Sequence, residues 1–299
     1  METVPELPSP RLNKLDGVIT EMAVDVDTVK AQVIENLKWK VPEIETMPLW
    51  RKSKANEPVA VVGGGPSIRY TVDTLRNFKT IICAGSSHDW LVEQGIVPTY
   101  CVILDPEDVV LNYLKKAHPN CIYLVSSSCH PKVFEAMQDF AVVRWHAAGV
   151  EPEWYMGEWE KAGIKDGDYK PLIGGGCTCG LRSISIAHLL GYRNLHLFGL
   201  DSNLDMNDDR HHAYDFVDPE REFLGDVIEM VVGDERNGRR FRVAKYMMAQ
   251  LWGLRDLIGM YYDQFDVTVH GDSIAYEFMK MKKIMMQQKK LKDEGNELH

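Results

Sequence analysis

Residues 58–67 read PVAVVGGGPS: four apolar residues, three of them β-branched, run into three glycines, a proline and a serine. An apolar run this short and continuous is the pattern of a strand buried on both faces. The glycines that follow allow the chain to turn sharply at its end. Working outward, the same unit recurs. TLRNF (74–78) reads as helix, TIICAG (80–85) as strand, HDWLVEQGI (88–96) as helix and YCVILD (100–105) as strand. VVLNYLKKA (109–117), CIYLVSSS (121–128), KVFEAMQDF (132–140) and AVVRWH (141–146) continue the alternation. After an irregular stretch over 147–171, a helix over 178–190 and the strand NLHLFGLD (194–201) extend it. Residues 202–222 read as a long polar loop, followed by strand-like VIEMVV and RRFRV, a helix over 245–258 and a last strand, FDVTVHG (265–271). Such alternation predicts an α/β fold, a mostly parallel sheet with helices on both faces. Helical spacing over 12–40, ended by Pro42, predicts an N-terminal helical prefix. The organisation expected is a helical extension and connector over 1–57, the main domain over 58–275 and a helical tail over 276–299.

The chain has 299 residues, of which 45% are apolar and 26% charged, enough apolar material for a full core. Acidic residues (44) outnumber basic ones (34), and the net charge of −10 argues against general coating of nucleic acid. No apolar run approaches the roughly 20 residues of a membrane span, and the first residues lack the apolar core of a signal peptide. Six cysteines lack zinc-site spacing, and four fall in or beside strands, where a thiol packs as a small hydrophobe. A reducing, cytoplasmic setting follows. The lysines of the tail MKMKKIMMQQKKLK (279–292) suit a phosphate-bearing partner, and the segment otherwise reads as a solvated helix or as a contact between copies in a homo-oligomer.

Four groups of residues carry candidate chemistry. Gly63, Gly64, Gly65, Pro66 and Ser67 form either a phosphate cradle of backbone amides or a plain tight turn. The run matches neither G-x-G-x-x-G nor a Walker loop. Asp105, with Pro106, Glu107 and Asp108, sits at a strand's carboxyl end, where ligands bind in open α/β sheets. It suits a ribose hydroxyl or magnesium, or the cap of a following helix. Gly174 to Gly180, including Gly176, Thr178 and Gly180, precedes a helix and forms a second potential anion site, with Thr178 otherwise a plain N-cap. Asp201 closes another strand, and His211 and His212 in the polar loop after it supply a candidate base or a solvated pair.

VAVVGGGPSI (59–68), GIVPTYCVILDPED (95–108), GGGCTCGLRSISIAHLLGYRNLHLFGLDS (174–202) and RHHAY (210–214) together resemble a superfamily of nucleotide-dependent transferases. It includes the Maf-type flagellin glycosyltransferases and the archaeal-type hydroxymethyl-dihydropterin pyrophosphokinases, the MptE-like group. Two of the blocks are also similar to small bacterial sialyltransferases of modified Rossmann-like fold. RHHAY and GRRFRVAKYMMAQ (238–250) look most like Maf-like proteins of tailed bacteriophages, which implies the host cytoplasm as the setting. The resemblance covers about residues 58–275. It implies a modified Rossmann-like fold and a glycosyltransferase-like enzyme that moves a sugar from a CMP- or UDP-type nucleotide donor to an acceptor hydroxyl. The acceptor would be a glycan, a protein or a modified DNA base. By the sialyltransferase comparison, Pro66 and Ser67 with the glycine turn contact the donor phosphate. Ser87 stands where that family has an asparagine touching the donor, and the Thr178–Gly180 backbone lies against the nucleotide. Asp201 borders the site, His211 or His212 acts as base, and Ser273 belongs to a short motif after the last strand. By the pyrophosphokinase comparison, Asp105 and Asp201 hold Mg2+ on a triphosphate. A nucleotide-binding or phage assembly protein without catalysis is the third reading, since a fold never settles a reaction.

Overall fold

The alternation of buried runs and helices closes into one eight-stranded sheet. The computed structural model describes residues 24–165, 167–215, 226–233, 238–260 and 264–280. Strands β1 (Lys54–Val62), β2 (Ile81–Ala84), β3 (Tyr100–Ile103), β4 (Ile122–Ser126), β5 (Ala141–Ala147) and the two-residue β6 (Leu172–Ile173) follow one another across it. On the other side of β1 lie β7 (Tyr192–Phe198) and then β10 (Asp266–His270), giving the order β10-β7-β1-β2-β3-β4-β5-β6. Every pairing in this sheet is parallel. The remaining strands, β8 (Val227–Val232) and β9 (Arg239–Ala244), form a separate antiparallel hairpin.

Side chains alternate across the sheet with the period of two that a strand imposes. Val59 and Val61 of β1 face one core, which α6 (Cys179–Leu189) and α7 (Lys245–Met260) complete. Ala60 and Val62 face the opposite core, closed by α2 (Ile68–Leu75), α3 (His88–Glu93) and α4 (Pro131–Met137). Cys83, Cys101, Cys121 and Cys129 all belong to that second core, and all six cysteines are free thiols. Among the described residues no helix is long and apolar enough to cross a membrane.

Of the helical prefix, α1 (Val26–Asn36) is described, capped by the Asp25 side chain on Thr28 N. Its end is bolted to the sheet by polar groups. Asn36 Nδ2 donates to the carbonyls of Ser127 (2.9 Å) and Cys129 (2.7 Å). Arg144 donates to the carbonyls of Asn36 and Trp39 and pairs with Glu43. His146 Nδ1 lies 2.9 Å from Ser127 Oγ, and its Nε2 lies 3.4 Å from Glu43. This Ser-His-Glu row resembles a hydrolytic triad, but Ser127 and His146 are 0% and 1% exposed. It is a fastening sealed from substrate.

Two expectations need correction. The stretch 147–171 is not irregular throughout: α5 (Pro152–Lys161) occupies its middle, with Pro152 in the first turn and Tyr155 and Trp159, four residues apart, buried against α1. Residues 109–117 do not form an α-helix, because Asp108–Tyr113 winds as a 3-10 helix ending at Leu114. The first part of the prefix and the methionine- and lysine-rich tail beyond residue 280 lie outside the described residues.

Candidate functional site

Because all eight strands run the same way, their carboxyl ends share one edge of the sheet. Gly63–Ser67 follows β1, Gly85–Ser87 follows β2, Leu104–Asp105 follows β3, Gly199–Asp201 follows β7 and Gly271–Ser273 follows β10. The topology reverses between β1 and β7, the position where doubly wound sheets hold ligands. With Gly174–Gly180 after β6 and His211 and His212 after β7, the four candidate groups of the sequence thus come to this one edge.

At the switch point the glycine turn is largely engaged by the protein itself. Gly63 N donates to Phe198 O (2.9 Å) and Gly65 N to Gly199 O (2.8 Å). Ser67 donates its amide (2.7 Å) and its hydroxyl (2.6 Å) to the two carboxylate oxygens of Asp201. Pro66 has no amide proton, so among the described residues only the Gly64 N–H of this turn keeps a donor without a protein partner. The glycines are needed for close approach: a Cβ on Gly64 would stand 2.5 Å from the Tyr214 hydroxyl, and one on Gly65 2.5 Å from Asp201 Oδ2. Burial pushes the Asp201 carboxyl up to about 6, against the pull of its two bonds from Ser67.

Residues 211–214 fold over this turn. Ala213 N donates to Gly64 O at 3.0 Å, and His212 Nδ1 lies 3.3 Å from the same oxygen. A carbonyl only accepts, so Nδ1 carries the proton and Nε2 the lone pair. Burial, and then the neighbouring His211, bring His212 down to about 4, so it is neutral at physiological pH. The rings form a row: His211 and His212 are 4.1 Å apart, His212 and Tyr214 5.0 Å and nearly parallel, Tyr214 and Tyr113 5.4 Å. Arg69 holds the loop through Asp205 and Asp208, each at 2.8 Å.

Beside the turn stands the N-terminus of α6. The Thr178 hydroxyl accepts from Leu181 N at 3.3 Å, so Thr178 is its N-cap. Gly180 lets the helix approach the glycine turn, since a Cβ there would lie 3.8 Å from Gly63 Cα and against Leu200. Gly175 and Gly176 occupy the left-handed region, with φ of 127° and 77°. Arg182 pins that loop, donating to Gly176 O (3.1 Å), Ala148 O (3.3 Å) and Ile173 O. Sequence reasoning passed over Arg182 and Tyr214. One lies mid-helix without a motif, and the other was quoted only as a neighbour of the histidines.

Other singled-out hydroxyls serve local turns. Ser87 is buried and donates to Ala84 O (2.9 Å), and the buried Ser273 Oγ accepts from Tyr276 N (3.1 Å). Asp105 accepts from Glu107 N at 3.0 Å, a tight turn preceding the 3-10 helix rather than the cap of an α-helix. Both Asp201 oxygens are taken by Ser67, and among the described residues no three histidine, cysteine, aspartate or glutamate side chains gather to hold a metal.

A family model described as 6-hydroxymethylpterin diphosphokinase MptE-like matches residues 31–206. Among solved structures, a Maf glycosyltransferase from Magnetospirillum magneticum AMB-1 superposes with a TM-score of 0.56 at 17% identity, covering 87% of this chain. The chain spans 41% of the length of that protein. A mammalian sialyltransferase matches over 84% of this chain and 88% of its own, with a TM-score of 0.42 and 10% identity. The sialyltransferase CstII from Campylobacter jejuni matches over 74% and 83%, with a TM-score of 0.31 and 12% identity. No curated protein matches the sequence.

Proposed function

Because the chain belongs to the MptE-like family, we propose that it is a nucleotide-dependent transferase acting at the carboxyl edge of its sheet. One observation carries the reading: the Gly64 amide, the N-terminus of α6 and the His211–His212 pair come together beside the switch point between β1 and β7, with Asp105 on the same edge at the end of β3. The positive end of α6, with the Arg182 cation on its second turn, suits the phosphate of a bound nucleotide. Asp105 suits a ribose hydroxyl. In sugar transfer the bond between the sugar carbon and the phosphate oxygen breaks, and the nucleotide leaves with both electrons of that bond. His212 Nε2 takes the proton of the acceptor hydroxyl as its oxygen bonds the sugar carbon, a role worth about 10²–10⁴ in rate. The donor is a CMP- or UDP-type nucleotide sugar, and the fold that the chain shares with the Maf glycosyltransferase is compatible with this choice. A glycan, a protein or a modified base would present the acceptor hydroxyl.

The description of the matched family favours a second reading, diphosphoryl transfer to a small hydroxylated heterocycle. It calls for magnesium, and the engagement of Asp201 by Ser67 argues against it here. Calorimetry with CMP, UMP, GMP and ATP, each with and without magnesium, separates the two. Magnesium-independent binding of CMP or UMP is expected. Binding of ATP or GMP only with magnesium would replace the first reading by the second.

A further inference from the structure

The loop that carries His211 and His212 is fixed to the glycine turn at two points. At one, Ala213 N and His212 Nδ1 reach Gly64 O. At the other stands Arg69, in the first turn of α2. Its Nη1 and Nη2 donate to the two carboxylate oxygens of Asp208, at 2.8 and 3.0 Å. Nη2 also lies 2.8 Å from Asp205 Oδ2, and Nε donates to Pro66 O at 3.4 Å. One side chain thus touches both the turn and the loop. A guanidinium is planar, with its donors in a rigid fork, so these bonds set angles as well as distances. Asp205 is the inner anchor, its side chain only 4% exposed. It accepts from Asn207 N at 2.7 Å, and its own amide donates to the carbonyl of Arg210, the residue before His211, at 2.7 Å.

The other charges of the loop tie it to β9 and to itself. Arg242 of β9 pairs with Asp209, and Arg210 with Asp208 and Asp215. The side chains of these pairs are exposed, and such pairs contribute little. Asp209 is held at φ 58°, in the left-handed region that a residue other than glycine occupies when its surroundings impose it. We propose that Arg69 is the positioning residue of His212: its fork sets how far the loop stands from the glycine turn, and so keeps the imidazole on Gly64 O in its Nδ1–H form. This rests on the reading of His212 as the base. The rings that face His212 are His211 and Tyr214. Burial, and then His211, hold its proton affinity down, while the Gly64 bond pulls the other way. Arg69 therefore acts through place and not through its charge: it keeps the ring in that burial.

The test follows the His212 imidazole by nuclear magnetic resonance of the full chain with isotope-labelled histidines, its signals assigned by their loss in His212→Asn. In the wild type the ring should titrate at about 4 from the Nδ1–H tautomer. In Arg69→Met the loop leaves the turn and the ring gains water. Its midpoint should then rise by about 1–2 pH units toward 6.5, with the Nδ1–H form giving way to a mixture. Arg69→Lys should do the same, because an ammonium keeps the charge but lacks the fork. Arg242→Met removes an ion pair from the same loop and should leave midpoint and tautomer at their wild-type values. Unchanged readings in both Arg69 variants would overturn the assignment even if their unfolding midpoints fall, and so would an equal shift in Arg242→Met. If Arg69→Met does not fold, Asp208→Asn weakens only the half-exposed arm of the fork; a smaller shift in the same direction supports the assignment, and no shift overturns it. None of these readings needs turnover, so the reading of His212 as the base fails separately, by a wild-type rate in His212→Asn.

Discussion

Replacing Asp201 by asparagine should make the protein more stable at pH 7, and the gain should vanish near pH 4. Burial raises this carboxyl from its ordinary 3.8 to about 6 in the folded state. Between those values the native protein binds the proton more tightly than the unfolded chain, so stability falls as pH rises through the window and is flat above it. At about 1.4 kcal/mol per tenfold in acidity, the wild type loses about 3 kcal/mol on this account by pH 7. Asparagine keeps the geometry: its oxygen accepts from Ser67 N–H, as Oδ2 does at 2.7 Å, while its amide donates to Ser67 Oγ. The charge is gone, and with it the cost of burying it. Asp201→Ala is the control, because it orphans both Ser67 donors and leaves a void, costing about 2–4 kcal/mol. Urea unfolding of wild type and both variants from pH 4 to 7 supplies the measurement. The difference between Asp201→Asn and wild type should grow by about 2 kcal/mol from pH 4 to pH 6. An asparagine variant less stable than wild type at pH 7, or a difference independent of pH, would refute the reasoning.

His212→Asn should show the opposite slope. The wild-type imidazole, held down at about 4 from 6.5, gives stability that is lost as pH falls through that window, about 3 kcal/mol. Asparagine places a donor where Nδ1 stands, so the bond to Gly64 O survives and urea unfolding of this variant should lack that acid loss. Its turnover should drop by about 10²–10⁴ with nucleotide affinity nearly unchanged, and a wild-type rate would remove His212 from the chemistry. Glu43→Ala leaves Arg144 buried without its carboxylate and should cost about 3–5 kcal/mol of stability by urea unfolding, freeing the end of α1 from the sheet.

The fold was legible because its signal is local. Val59 to Val62 and the runs that follow are apolar on both faces, which only a doubly covered parallel sheet accommodates. The prediction missed α5, whose aromatic residues and Gly157 carry a weak helical pattern, and whose burial of Tyr155 and Trp159 depends on α1 more than 100 positions earlier. Within the site, the sequence identified the segments but not what they bond. Gly63 to Ser67 reads equally as a cradle of open amides or as a plain turn, because the groups that engage its amides, Phe198, Gly199 and Asp201, come from a strand end 134 residues beyond Ser67 in the case of Asp201.

Amide hydrogen exchange with and without the tightest-binding nucleotide tests the central claim most directly, because it reports where on the chain the ligand sits. The account predicts new protection in peptides covering Gly63–Ser67 and Gly174–Arg182, at the edge where β1 and β7 part. Binding that leaves both segments unprotected, or that protects only the opposite edge of the sheet, would contradict it.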